Sequence, residues 1–105
     1  MSKYRRSFIA GGTYFFTIVT ARRRPLLTLP ETRSAMRTAI AEVRKNQPFD
    51  IDAWVVLPDH MHCIWTLPEN DTAYSARIGR LKILTSKALG YSGKRDSGLW
   101  QRRFW

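Results

Sequence analysis

The chain has 105 residues, 44% hydrophobic and 25% charged, with eighteen Lys and Arg against eight Asp and Glu. That length holds one domain around one core, and the apolar content excludes a disordered chain. A formal charge of +10 and a pI near 10.7 point to a polyanionic partner, nucleic acid first.

No apolar run approaches the roughly 18 residues of a membrane span, so no membrane partner is expected. The basic start, Met1 to Ser7, is not followed by the apolar stretch of a secretory signal. A lone cysteine, Cys63, allows no internal disulfide and suits a reducing cytoplasm; it reads as a small core residue. Thirteen of the cations are Arg, whose planar fork suits phosphate oxygens and base edges better than a Lys ammonium does. They cluster at Arg5-Arg6, Arg22-Arg23-Arg24, Arg77-Arg80-Lys82-Lys87, Lys94-Arg95 and Arg102-Arg103. The clusters border predicted elements, which favours a folded binding surface over a disordered arm.

In chain order, a basic segment with Tyr4, Arg5 and Arg6 runs into Gly11-Gly12, which permits a sharp bend or a close backbone approach. Residues 13–21 are almost all β-branched or aromatic and read as a central strand. Arg22 to Arg24 follow, and Pro25 blocks continuation. Thr28 and Glu31 fit a capping box opening a helix to about Lys45. Its apolar stripe is Ala35, Met36, Ala39, Ile40 and Val43. Asn46-Gln47-Pro48 stops it.

Ile51 to Leu57 reads as a second strand, Pro58-Asp59 as a turn and His60 to Leu67 as a third strand. Asp71 or Thr72 is expected to cap a second helix running to about Leu89. Its apolar seam is Ile78, Leu81 and Ala88, and Arg77, Arg80 and Lys87 form a basic seam beside it. Gly90 ends that helix. Residues 90–98 read as a flexible loop, and Leu99 to Trp105 as a last strand rich in aromatics and arginine. The order strand, helix, strand, strand, helix, strand predicts an α+β, ferredoxin-like βαββαβ fold, an antiparallel sheet with both helices on one face.

The two histidines of the chain are His60 and His62. Strand side chains alternate faces, so both imidazoles point one way while Met61 and Cys63 point the other. If Met61 and Cys63 face the helices, the imidazoles lie on the open sheet face beside arginines and aromatics, the combination that single-stranded nucleic acid binding uses. Two neutral imidazoles can share a divalent cation. They can equally be surface or hydrogen-bonded histidines, and a complete metal site needs a further ligand. Asp59 is adjacent, but a strand neighbour of His60 faces away unless the turn re-aims it. Trp100, Phe104 and Trp105 read as core residues or as stacking platforms.

Taken together, Tyr4-Arg5-Arg6, Gly11 to Thr17, Val55 to His62 and Leu99 to Trp105 resemble the REP-associated tyrosine transposases of the IS200-like HUH single-strand transposase family. In that name U is a bulky hydrophobic residue, here Met61. The resemblance covers nearly the whole chain as one core domain, 1–105. It implies metal-dependent cleavage and rejoining of single-stranded or hairpin DNA, with His60 and His62 holding Mg2+ or Mn2+. A tyrosine attacks phosphorus, leaving a 5′-phosphotyrosine link and a free 3′-hydroxyl. It implies DNA contacts by Tyr4, Arg5, Arg6, Gly11 and Gly12, beside the basic clusters at Arg22, Arg23, Arg24, Arg77, Arg80, Lys87, Arg102 and Arg103. The family's nucleophilic tyrosine lies on a helix after the last strand. None of Tyr4, Tyr14, Tyr74 and Tyr91 holds that place, so this stretch alone is expected to cleave poorly or not at all. A homodimer and a bacterial, nucleoid-associated setting belong to the same expectation. The competing reading is a non-catalytic nucleic-acid-binding module of the same fold.

Overall fold

The computed structural model describes residues 11–91 and 98–104, with side chains of the last strand as far as Arg102. The β-branched run forms strand β1, Thr13–Thr20, and a short 3-10 turn, Ala21–Arg23, follows it. Helix α1 is Pro30–Asn46, strands β2 and β3 are Asp50–Val56 and His60–Thr66, helix α2 is Tyr74–Ala88, and strand β4 is Trp100–Phe104. The sheet order is β2-β3-β1-β4 with every neighbouring pair antiparallel. This is the predicted ferredoxin-like arrangement.

Alternation on β1 and β3 divides the sheet into two faces. Phe16, Ile18, Met61, Cys63 and Trp65 are buried under the helices with Met36, Ile40, Val43, Ile78 and Leu81. Trp65 anchors this layer, edge-on to Phe16 at 4.7 Å and tilted against Phe49 at 4.4 Å. Among the described residues the other face carries no helix, and Phe15 stands 64% exposed on it. Cys63 is the predicted core residue. Burial pushes its thiol up to about 12, because the thiolate would be an unsolvated anion.

The helix starts differ from expectation. Leu29 occupies the cap position of α1 with no side-chain cap, and Pro30 opens the helix. Proline has no N–H to satisfy and its φ suits that position, so Thr28 is not needed. At α2, Ala73 holds the cap position, while the Asp71 carboxylate accepts the Ala73 N–H at 2.8 Å. Thr85, not Ala88, completes the buried seam of α2.

Arg77 corrects the predicted basic seam. It is 1% exposed. Its guanidinium takes both Asp71 oxygens at 2.9 and 3.1 Å and donates to the Gln47, Pro48 and Ala73 carbonyls at 3.1, 2.9 and 3.1 Å. All five of its N–H groups are thereby used, and it lies over the Phe49 ring. Helical spacing put Arg77 beside Arg80, but the α1–β2 loop directs its Gln47 and Pro48 carbonyls at Arg77. Arg77 therefore clamps α2 to that loop and has no donor left for DNA.

Two outcomes follow from this packing. Arg77→Lys, which cannot reproduce the fork, should lower stability by roughly 3 kcal/mol in urea unfolding. Arg80→Lys, on the exposed side, should stay within about 0.5 kcal/mol. Cys63 should resist a thiol reagent in mildly alkaline native buffer and react once urea unfolds the chain.

Candidate metal site and nucleic-acid interface

The register of β3 against β1 sets His60 opposite Val19 and His62 opposite Thr17. Both imidazoles lie on the open face, as alternation requires, with ring centroids 5.0 Å apart and planes at 79°. Each has its Nδ1 occupied. His62 Nδ1 meets Thr17 Oγ1 at 2.9 Å, and the ring stacks on Phe15 at 5.8 Å. His60 Nδ1 lies 2.8 Å from Asp59 Oδ1. An ionised carboxylate only accepts, so His60 Nδ1 is the donor in this contact, and in the neutral ring that leaves the lone pair on Nε2.

Asp59 is re-aimed by the turn rather than facing away. Its second oxygen accepts Arg23 Nε at 2.7 Å. Hydrogen bonds from His60 and then from Arg23 hold its carboxyl down at about 2, so it is ionised at neutral pH. Both oxygens are thus engaged with protein partners, and the contact to Nδ1 fixes the orientation of the His60 ring. Among the described residues no group of three His, Cys, Asp or Glu converges into a metal cluster. The donor set nevertheless suits a divalent cation in its first two ligands. A histidine that binds metal through one ring nitrogen commonly donates its other N–H to a carboxylate, and His60 is arranged that way.

The arginine turn supports this end of the sheet. Arg22 and Arg23 have φ of 58° and 54°, a left-handed conformation that non-glycine residues adopt at a cost of about 1–3 kcal/mol each. The turn is held from inside. The Thr20 N–H donates to the Asp59 carbonyl at 3.0 Å and the Ala21 N–H to the Leu99 carbonyl at 2.9 Å, while the Thr20 hydroxyl donates to the Arg24 carbonyl. Three consecutive arginines consequently part company. Arg23 reaches Asp59. Arg24 donates to the Ala21 and Gly98 carbonyls and lies over Tyr91. Arg22 stays in solvent. Arg22, Arg24 and Arg102, with Trp100 and Gln101, line a basic concavity of about 250 Å³.

The remaining predicted contacts are scattered. Arg80 and Lys87 are exposed on α2, on the helix side of the sheet. Gly11, with φ +70°, lies where a Cβ would come within 3.2 Å of Glu69 Cα, and its N–H meets the Asp71 carbonyl. Gly12 accepts the Leu67 N–H. Both glycines sit at the end of the sheet remote from His60. Tyr4, Arg5, Arg6 and the Arg103 side chain lie outside the described residues. Trp100 is core: it is buried and its indole N–H donates to the Lys82 carbonyl at 3.1 Å. Sequence reasoning did not find Thr17 or Phe15 as partners of His62, because only the strand register brings them there.

The family described as Transposase IS200 like matches residues 2–105. The REP-associated tyrosine transposase of Escherichia coli strain K12 is 48% identical over 105 residues, which is all of this chain and 60% of that protein. A provisionally named REP-associated tyrosine transposase of Haemophilus influenzae is 40% identical over 114 residues, covering all of this chain and 64% of the relative. This chain thus spans less than two thirds of the length of those curated relatives. A solved structure of a REP-associated tyrosine transposase bound to a REP hairpin superposes with a TM-score of 0.85 at 48% identity, covering all of this chain and 60% of that one. A crystal structure from Deinococcus radiodurans R1 shares the fold, with a TM-score of 0.69 at 16% identity over 98% of this chain and 82% of that one.

The histidine geometry predicts a tautomer. Nitrogen NMR of the ring should find His60 protonated at Nδ1. Asp59→Ala should shift it toward the Nε2-protonated form that free imidazole prefers, whereas an unchanged spectrum would mean that Asp59 does not orient it.

Proposed function

Because this chain belongs to the IS200-like transposase family, we propose that it forms the DNA-gripping core of an enzyme that cuts and rejoins single-stranded DNA beside a hairpin. His60 and His62 supply two ligands of an Mg2+ or Mn2+ ion through Nε2. The observation that carries this reading is the imidazole pair on an open sheet face, each Nδ1 engaged, with a basic concavity at the same end of the sheet. When bound, the ion polarises the scissile phosphate and offsets the negative charge that develops on it.

The chain's own residues do the rest of what can be assigned. Asp59 and Thr17 hold the two rings in orientation. Arg22 and Arg102 attract backbone phosphates into the concavity, where Arg24, anchored on two carbonyls, forms a wall. Phe15, exposed beside His62, offers an unpaired base a flat surface. The nucleophile is a tyrosine Oη that attacks phosphorus, breaks the P–O3′ bond and leaves a 5′-phosphotyrosine and a 3′-hydroxyl. Tyr14 and Tyr74 stack on each other at 4.4 Å and are buried under the helices, on the wrong face for this role. A tyrosine supplied from beyond residue 105 fits the reading, as does the greater length of the relatives. The hairpin is the expected DNA partner, since the similar solved transposase holds one.

The double change His60→Ala/His62→Ala tests this. Calorimetry should show Mn2+ binding in the unaltered chain and none in the variant. Hairpin affinity in EDTA should stay within about 0.5 kcal/mol. In the complete protein, the same change should end Mn2+-dependent strand cleavage. Hairpin binding should weaken steeply with salt, by roughly 0.9 in log affinity per log salt for each phosphate contacted in the duplex. Binding indifferent to salt would remove the DNA reading altogether. Normal cleavage by the double variant would remove the metal assignment.

A further inference from the structure

A second concavity lies on the opposite side of the sheet from the imidazoles. It has a volume of about 380 Å³, within the range of sites that take small organic groups. Its floor is apolar, formed by Met36 and Ile40 of α1 with Ile51 and Trp54 of β2. Its remaining lining includes Arg33 and Arg37, one helical turn apart and so on the same side of α1. Both arginines are exposed, and neither joins an ion pair among the described residues. Trp54 is half-buried. Its N–H meets the Met61 sulfur at 3.1 Å, which pins the polar edge of the indole inward and leaves ring surface to line the groove. β2 is an outer strand of the sheet, so the groove opens at the sheet edge.

An apolar floor with an aromatic ring and two exposed guanidiniums calls for an occupant with a flat apolar part and an anionic part. A second copy of this chain fits poorly, because each copy brings a net charge of +10. The edge also connects the two faces. Val55, next to Trp54, is 53% exposed and pairs across the strands with His62. A single strand engaged at the imidazoles and leaving over β2 therefore arrives at this groove. We propose that the groove binds one unpaired nucleotide of that strand, its base against Trp54 and Ile51 and its phosphate between Arg33 and Arg37. This rests on the single-strand DNA reading above and adds a site for a flanking base.

The test is a titration of the nitrogen-15-labelled chain, followed by NMR, with oligothymidylate and with an abasic oligonucleotide of equal length. Oligothymidylate should move the Trp54 indole resonance and the amides around Arg33 and Arg37, and the abasic strand should leave the indole unmoved. Arg33→Gln/Arg37→Gln, altering only exposed side chains, should weaken oligothymidylate binding severalfold. It should also reduce the salt slope by about 0.7 for the one phosphate released. Equal shifts with the abasic strand would overturn the base site in favour of a plain basic patch. Shifts at Phe15, Thr17 and His62 with a silent Trp54 would overturn the groove and leave the DNA reading standing. No binding of either strand anywhere would overturn both. An acidic apolar peptide that moves Trp54 where oligothymidylate does not would assign the groove to a protein partner instead.

Discussion

The pairing of β1 with β3 is the constraint on which the rest of the molecule depends. One register, Thr17 against His62 and Phe16 against Cys63, does two jobs on two faces. Toward the helices it stacks Phe16, Ile18, Met61, Cys63 and Trp65 into one apolar layer. Away from them it brings Thr17 and Phe15 to His62. A slip of one residue would exchange the faces, putting both imidazoles in the core and Met61 and Cys63 in water. Burial of Met61, Cys63 and Trp65, with about 1.5–3 kcal/mol for each large apolar side chain, opposes that slip. The hydrophobic core thus holds the candidate site in place without touching it.

Arginine serves three different ends here. Arg77 is interior framework, with every donor satisfied by one carboxylate and three carbonyls. Arg24 is tied to backbone but borders a concavity, so it shapes that concavity as well as charging it. Arg22, Arg33, Arg37, Arg80 and Arg102 remain exposed to solvent and carry the positive field to a polyanion. A net charge counts all of these alike. The number of cations available to phosphate is smaller than the composition suggests, and the difference is decided by which carbonyls the loops aim inward.

The Arg22-Arg23 turn links framework to site. Two successive left-handed residues are unfavourable locally, and the hydrogen bonds of Thr20 and Ala21 to Asp59 and Leu99 hold them. The result carries Arg23 to Asp59, and Asp59 is thereby bound on both oxygens and aimed at His60. Strain in the chain at this point is coupled to the orientation of an imidazole, an arrangement common where geometry serves chemistry.

The element order, the apolar stripe of α1 and the facing of the imidazole pair were legible in the residues, because period-two and helical patterns are local properties of the chain. So was the membership of Cys63 in the core, and the matched segments at both ends of the chain indicated the family, whereas the structure decided Trp100 for the core. The helix starts were not. Thr28 looks like a cap until Pro30 takes the first turn, and Arg77 looks like a surface cation until the α1–β2 loop closes over it. The partners of the histidines also depended on the fold. Thr17 is 45 residues from His62, and only the strand register joins them. Sequence determined which side of the sheet the imidazoles occupy, because that follows from alternation along one strand. Tertiary structure decided which ring nitrogens they leave free, because that depends on neighbours contributed by another strand and by a strained turn.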